Sequence, residues 1–270
     1  SAGDPCECLN WKHVYESGRV LCGEGGEFPF VNDASYETVY WLPSTIGFTY
    51  YQFCDSFFKR MDNHFCVNVN HHTYDDVGVD AQQWCYVSKE CDNLNGGFPL
   101  HDQWSIPEID KWGLPDWVPL RTVFPLFRHF HLAKLIPRNV SVKVCKSGMD
   151  SLLREMPVMD MLEMAKTMDS VVGFATKMAY PMARKQDAAT PVWAEIEDAL
   201  AKGNVDELPA VVSKAIEDKT PIVVDVDPKG RTHLRILVGK EIYEVDNECD
   251  ATGCGGKHWP FRRVREMGEL

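Results

Sequence analysis

The sequence lacks the short motifs that mark the commonest catalytic and nucleotide-binding sites. It contains no Gly-x-Ser-x-Gly nucleophile elbow, no Gly-x-Gly-x-x-Gly fingerprint and no phosphate loop ending in Gly-Lys-Ser/Thr. It also contains no Cys-x-x-Cys, which excludes a zinc ribbon and a thioredoxin-type redox motif. We therefore expect no catalytic residue and no cofactor, and the interpretation leans away from an enzyme.

Positive charge and long apolar runs are also scarce. Lys and Arg number 28 against 40 Asp and Glu, which gives a net charge of −12. Nucleic-acid binding needs a basic surface, so it is not expected. The longest uncharged run, residues 38–54, is interrupted by Pro43, Ser44 and Gln52 and is too short and polar to span a bilayer. We expect a soluble chain without a transmembrane segment.

Cysteine, by contrast, is abundant and unevenly placed. Seven of the ten cysteines fall within the first 91 residues, and an even total allows five disulfides. Because seven cannot close among themselves, full pairing requires at least one bond from this region to a later cysteine. The alternative is a set of reduced, buried cysteines in a cytosolic protein. The cysteines predicted to form disulfides are Cys6, Cys8, Cys22, Cys54, Cys66, Cys85, Cys91, Cys145, Cys249 and Cys254.

Two further features bear on the compartment. Ser1 in place of an initiator Met is what a processed mature end would show, and no signal-peptide apolar region is present. Asn139, Val140 and Ser141 form one glycosylation sequon, which favours secretion weakly. The sequence thus predicts an oxidising compartment, either an organelle lumen or the extracellular space.

Composition changes twice along the chain and predicts an α+β fold. Residues 1–97 form a Cys-rich aromatic module, expected to be loop-rich and stapled by disulfides. Residues 98–148 form a Pro/Trp-rich connecting wrap, because proline at this density prevents long helices. Residues 149–270 are expected to hold a helical middle, a small three-stranded antiparallel sheet and a Cys-containing tail.

Periodicity locates the individual elements. Apolar residues three and four apart predict helices, and Thr190 with Pro191 and Gly203 provides the start and stop signals of the clearest one. Alternating residues around a Gly239-Lys240 turn predict an antiparallel meander. The predicted helices cover 50–61, 151–168 with an interruption at Pro157, 190–203 and 206–218, and the predicted strands cover 65–69, 222–227, 233–238 and 242–245.

Two pairs of histidines are candidate metal ligands. His71 and His72 lie beside Asp75 in the sequence, and His129 and His131 would share a face of a strand. The ordinary alternative is a solvated polar loop, and no further ligand is marked. These histidines support the alternative hypothesis of a metal-dependent hydrolase or lyase.

Aromatic, methionine and arginine residues are candidate contacts for a partner. Each set has a simpler alternative as core or as solvated surface. The interface candidates are Tyr40, Trp41, Phe48, Tyr50, Tyr51, Met178, Met182, Arg262, Arg263 and Arg265. A further alternative is a secreted module that binds glycans or proteins through Trp84, Trp104, Trp112 and Trp117.

Five stretches resemble a Cys-rich module of secreted or plastid-lumen proteins of dinoflagellate algae. They are residues 6–11 (CECLNW), 20–23 (VLCG), 62–70 (DNHFCVNVN), 83–91 (QWCYVSKEC) and 94–97 (LNGG). The resemblance covers a little over a third of the chain and transfers no catalytic residue. It implies a thylakoid-lumen location and a non-catalytic accessory subunit. The implied partner is a membrane-embedded photosynthetic complex contacted peripherally, namely photosystem I with its antenna.

Overall fold

The computed structural model describes residues 3–23, 25–27, 54–69, 82–105, 134–183, 193–225, 233–246 and 261–266 of the chain. The chain divides into two units. The first unit combines Ser1–His64 with Trp84–Cys145, and the second combines Phe65–Gln83 with Lys146–Leu270. Each unit is therefore built from two separate chain segments, whereas the predicted boundaries after residues 97 and 148 follow sequence order.

Both helices and strands are present, which confirms the α+β prediction at the level of fold class. The α-helices of the described residues are α1 (Trp11–Glu16), α2 (Val158–Thr167), α3 (Val172–Ala179), α4 (Trp193–Lys202) and α5 (Ala210–Glu217). The strands are β1 (Val67–Asn68), β2 (Gln83–Ser88), β3 (Phe98–Pro99), β4 (Gln103–Ser105), β5 (Lys134–Ile136), β6 (Val140–Val144), β7 (Met182–Ala183), β8 (Ile222–Asp225), β9 (His233–Val238), β10 (Glu241–Asp246) and β11 (Phe261–Glu266).

The first unit contains more strand than its sequence predicts. β6 pairs antiparallel with both β2 and β3, and β4 pairs with β5. β2 is buried on both faces, so it lacks the polar–apolar alternation by which a half-buried strand is recognised. β6 lies within residues 98–148, which their high proline content predicts to be a connecting wrap.

The N-terminal helix follows simple capping rules. The Asn10 side chain accepts a hydrogen bond from the His13 backbone N–H at 3.1 Å, which satisfies one orphan donor of α1. Trp11 and Val14, three residues apart, are its buried positions. Of the helix predicted over 50–61, residues 50–53 lie outside the described residues, and Phe58–Arg60 forms a short 3-10 helix.

The second unit confirms most predicted helices. α2 occupies the predicted 158–168 stretch, α4 begins at Trp193 within the predicted 190–203 stretch, and α5 follows Pro209. The structure adds α3 within the predicted helical middle, at a place where the sequence predicts no separate helix. Six of its eight residues are buried, so it shows no clear polar face.

The predicted three-stranded sheet is too small. β8, β9 and β10 do form the expected antiparallel meander, with Val223 opposite Ile236 and Ile236 opposite Tyr243. β7 adds to one side in parallel and β11 adds to the other antiparallel, which gives a five-stranded order β11-β10-β9-β8-β7. β7 has only two residues, and four of the six residues of β11 are charged without a two-residue alternation, so neither gives a strong strand signal.

The core of the second unit lies between the two C-terminal helices and this sheet. Ile196 of α4, Val212 of α5, and Ile222 and Leu237 of the sheet belong to one cluster of buried residues. Each of these four side chains is fully buried. Burial of an aliphatic side chain of this size stabilises by about 1.5–3 kcal/mol, so the cluster holds the helices on the sheet.

Candidate functional site

A buried carboxyl group is the most unusual polar feature of the first unit. Glu27 is 1% exposed. Its Oε1 accepts hydrogen bonds from the Tyr86 hydroxyl at 2.5 Å and the Tyr15 hydroxyl at 2.7 Å. Its Oε2 accepts the Gly25 backbone N–H at 2.8 Å. Three donors thus converge on one carboxyl group that water does not reach, which satisfies its oxygens.

Aromatic rings pack against Tyr86, one of the two tyrosines that bond this carboxyl group. Trp11 lies 4.8 Å from Trp84 and 5.4 Å from Tyr86 between ring centroids, in edge-to-face arrangements. Tyr15 approaches Tyr86 edge to face at 6.1 Å, and Phe58 contacts Trp11 at 5.1 Å. Such pairs contribute about 0.5–1.5 kcal/mol each beyond area burial. We call Trp11, Tyr15, Phe58, Trp84 and Tyr86 the aromatic cluster.

The low polarity of this site shifts two proton equilibria. Burial raises the pKa of Glu27 above its ordinary value of 4.5, and the hydrogen bonds from Tyr86 and Tyr15 oppose that rise. The pKa of Tyr15 is raised well above 10.0, first by burial and then by the neighbouring carboxyl group of Glu27. Tyr15 therefore stays a hydroxyl donor, while Glu27 is the group whose charge changes.

Two glycines allow the chain to approach the rings. A Cβ built on Gly25 would stand 2.2 Å from the Tyr86 Oη, and one on Gly26 would stand 2.9 Å from the Trp84 ring. Any larger residue at either position would push the rings away. The Gly-Gly-Glu sequence therefore places the carboxyl group of Glu27 against the tyrosine hydroxyls.

Disulfides tie the same unit together. Cys6 bonds Cys91 across 85 residues, Cys8 bonds Cys85 across 77, and Cys22 bonds Cys54 across 32. Cys145, which also belongs to the first unit, is disulfide-bonded as well, and so is Cys66 of the second unit. The disulfide prediction is confirmed for these eight cysteines, and no described cysteine is free. Cys249 and Cys254 lie outside the described residues.

A second buried polar cluster caps α3 in the second unit. The Asn68 side-chain amide donates to the Lys177 and Tyr180 carbonyls at 2.8 and 2.9 Å. The Gln83 amide donates to the Ala179 carbonyl and to the Asn68 Oδ1, both at 2.9 Å. Carbonyls at a helix C-terminus have no partner within the helix, and these amides supply one.

In both clusters, the polar groups form hydrogen bonds with other groups of the protein. The Glu27 oxygens and the Asn68 and Gln83 amides are occupied by protein partners, and the rings of the aromatic cluster pack on each other. Such an arrangement can fix a backbone conformation and hold a proton. It offers a substrate no exposed carboxyl group at Glu27.

The candidate metal ligands and all five aromatic interface candidates fall on parts of the chain that are not described. These are His71, His72, His129, His131, Tyr40, Trp41, Phe48, Tyr50 and Tyr51, together with Trp112 and Trp117. Their predicted roles remain predictions.

The remaining candidates can be placed. Met178 in α3 is 1% exposed and Met182 in β7 is 5% exposed, so both lie in the interior. Arg262, Arg263 and Arg265 lie on β11, and Arg262 is in register with Glu244 of β10. These positions make the arginines part of the five-stranded sheet.

The structure also describes two of the four tryptophans that the alternative of a glycan- or protein-binding module relies on. Trp84 is 1% exposed within the aromatic cluster, where it cannot reach a surface glycan without rearrangement. Trp104 lies on β4.

Sequence reasoning missed Glu27 and its tyrosine partners. The available signal was the pair Gly25-Gly26 directly before a charged residue, in a module rich in aromatic rings. Glycine pairs of this kind also occur in ordinary turns, so the pattern alone does not single out Glu27.

No family model matches the chain, and no curated protein and no solved structure matches it either. Among the described residues, none of the helices combines the length and the apolar character needed to cross a bilayer.

Proposed function

We propose that the chain is a non-catalytic structural subunit that docks on a larger protein complex in an oxidising compartment. The observation that carries the proposal is that all eight described cysteines are in disulfides. Disulfides of this number persist where thiols are not kept reduced, that is, in secreted or lumenal proteins.

The long loops closed by the disulfides support a structural role. The Cys6–Cys91 and Cys8–Cys85 bonds hold the N-terminal segment on β2, where the Leu9 backbone N–H also bonds the Tyr86 carbonyl at 2.7 Å. Closing loops of this length stabilises by about 2–4 kcal/mol per bond. A rigid unit of this kind presents a surface of fixed shape, which favours docking because little ordering is needed on binding.

The more specific form of the proposal places the protein in the thylakoid lumen on photosystem I with its antenna. It rests on the resemblance of residues 6–11, 20–23, 62–70, 83–91 and 94–97 to the dinoflagellate Cys-rich module. The net charge of −12 is compatible with a protein that remains in the aqueous phase beside a membrane complex.

Co-purification tests this proposal. Thylakoid membranes of the source organism are solubilised with mild detergent, the photosystem I fraction is isolated, and its proteins are quantified by mass spectrometry. We expect this chain in constant ratio to the core subunits through a salt wash of moderate strength. Its recovery only outside every photosynthetic complex would contradict docking there.

The sequon at Asn139 separates the two compartments. Glycan occupancy on the protein from its source, measured by intact mass before and after glycosidase treatment, would assign the secretory route and reject the thylakoid lumen. An unglycosylated Asn139 together with co-purification is the result expected for a lumenal subunit.

A further inference from the structure

Three sulfur atoms converge in the first unit. The Sγ atoms of Cys8, Cys85 and Cys145 lie within 4.8 Å of one another. Cys8 and Cys85 are bonded to each other, and Cys145 takes part in a disulfide of its own. One disulfide therefore has the sulfur of a different disulfide beside it.

The strand register produces this convergence. Cys85 on β2 is in register with Lys143 on β6, and Cys145 follows two residues after Lys143. Residues in this diagonal relation lie on the same face of an antiparallel pair. The neighbours of Cys85, Trp84 and Tyr86, are in the aromatic cluster, consistent with strand alternation placing them on the other face.

The three sulfurs differ in exposure. Cys85 is fully buried and Cys145 is 8% exposed, whereas Cys8 is partly exposed. A thiolate is costly in a buried apolar site, and a thiol that ionises more easily is the better leaving group in disulfide exchange. Among the two bonded sulfurs, Cys8 is therefore the better leaving group.

We propose that this sulfur cluster is a thiol–disulfide exchange site in which Cys145 takes over the bond of Cys85. A small or protein dithiol first reduces the disulfide of Cys145, is itself oxidised to a disulfide, and leaves both Cys145 and the other cysteine of that bond as thiols. After losing its proton to water, the Cys145 thiolate attacks the Cys85 Sγ. The Cys85–Cys145 bond forms, the Cys8–Cys85 bond breaks, and Cys8 leaves as a thiolate that takes a proton from water.

The exchange carries a reducing equivalent from the buried Cys145 to the more exposed Cys8. No net oxidation occurs within the cluster, because one disulfide is exchanged for another. The product presents a Cys8 thiol that a partner disulfide or an electrophile can reach. The first unit would thus report on the dithiol content of its compartment, beyond any docking role.

Partial reduction of the full-length oxidised protein tests the exchange. The protein is treated with graded dithiothreitol, quenched with an alkylating agent and mapped under non-reducing conditions by mass spectrometry. We expect a linked Cys85–Cys145 species with alkylated Cys8 as the main partially reduced form. Passage of Cys8–Cys85 directly to two alkylated thiols, without that linked species at any reductant concentration, would overturn the proposal.

A variant tests the same geometry without reductant. In Cys8→Ala, the Cys85 thiol is left beside Cys145, so we expect a Cys85–Cys145 bond in the purified protein. The matched control is Cys22→Ala, which frees Cys54; among the described residues no group of three close ligands includes that pair. We expect Cys54 to remain a free thiol. A free Cys85 in folded Cys8→Ala would contradict the proposal.

Discussion

At Glu27 a single carboxyl oxygen accepts hydrogen bonds from two tyrosine hydroxyls in a site closed to water. Because the pKa of Glu27 is raised in the folded protein, the folded state holds the proton more tightly than the unfolded chain. The resulting stabilisation is complete below the ordinary value of 4.5 and is lost as the pH rises through the raised folded value.

Substitution of this carboxyl group tests that pH dependence. In Glu27→Gln the neutral amide replaces the protonated carboxyl group, so the free energy of unfolding should fall less between pH 4 and pH 7 than in the wild type. Urea unfolding across this range provides the measurement. Glu16→Gln, at an exposed side chain of α1, is the control and should keep the wild-type profile. The same pH dependence of the free energy of unfolding in Glu27→Gln and wild type would contradict a raised pKa of Glu27.

The close approach of Gly25 to Tyr86 gives a second prediction. Gly25→Ala places a methyl group where the Tyr86 hydroxyl stands, so we expect a loss of about 1–3 kcal/mol in the free energy of unfolding. Near-ultraviolet circular dichroism should change as well, because the rings must move. Gly3→Ala is the control, since its Cβ would meet only the Glu7 carboxylate at 3.6 Å, and it should change stability by less than about 0.5 kcal/mol. Unchanged stability and spectrum in Gly25→Ala would contradict the packing.

At the scale of elements, α3 depends on side chains from outside its own segment. The side-chain amides of Asn68 and Gln83 donate hydrogen bonds at its C-terminal end. The acceptors are the backbone carbonyls of Lys177, Ala179 and Tyr180. The sequence of α3 gives little amphipathic pattern, so its stability comes from burial and from this cap. The cap also explains why both amides are buried without cost from unpaired donors.

Removal of the cap should destabilise the second unit. Asn68→Ala leaves the Lys177 and Tyr180 carbonyls and the Gln83 amide with fewer partners, and we expect a loss of about 2–4 kcal/mol from such buried groups. Asn204→Ala is the matched control, because its amide bonds Glu207 at the surface. Thermal unfolding followed by circular dichroism compares the two. A loss in Asn68→Ala no larger than that in Asn204→Ala would show that the cap contributes little.

Elements with strong local signals could be predicted from the sequence. α4 has apolar residues at helical spacing and the stop residue Gly203, and the meander has alternating residues around Gly239. These signals depend only on neighbours in the chain, so one sequence is enough to find them.

The elements that were missed depend on partners distant in sequence. β2 is buried on both faces, α3 is buried nearly all round, and β11 is stabilised by pairing with β10. Glu27 was missed for the same reason, because its hydrogen bonds are with Tyr15 and Tyr86, which are distant in the sequence. A single sequence does not show which distant side chains meet.

At the scale of the whole molecule, neither unit is one continuous stretch of the chain. Each unit is made from two chain segments, and the disulfides of the first unit join its N-terminal end to β2 and to Cys91. A covalent framework of this kind restricts the unfolded chain and stabilises the folded unit by about 2–4 kcal/mol per bond. It also requires an environment that keeps thiols oxidised.

Non-reducing peptide mapping of the protein from its native source, alkylated at the moment of extraction, tests this account most directly. We predict linked peptides for Cys6–Cys91, Cys8–Cys85 and Cys22–Cys54, with no alkylated thiol at these six positions. Alkylated thiols at both cysteines of these pairs in the freshly extracted protein would contradict the oxidised framework and, with it, the assignment to an oxidising compartment.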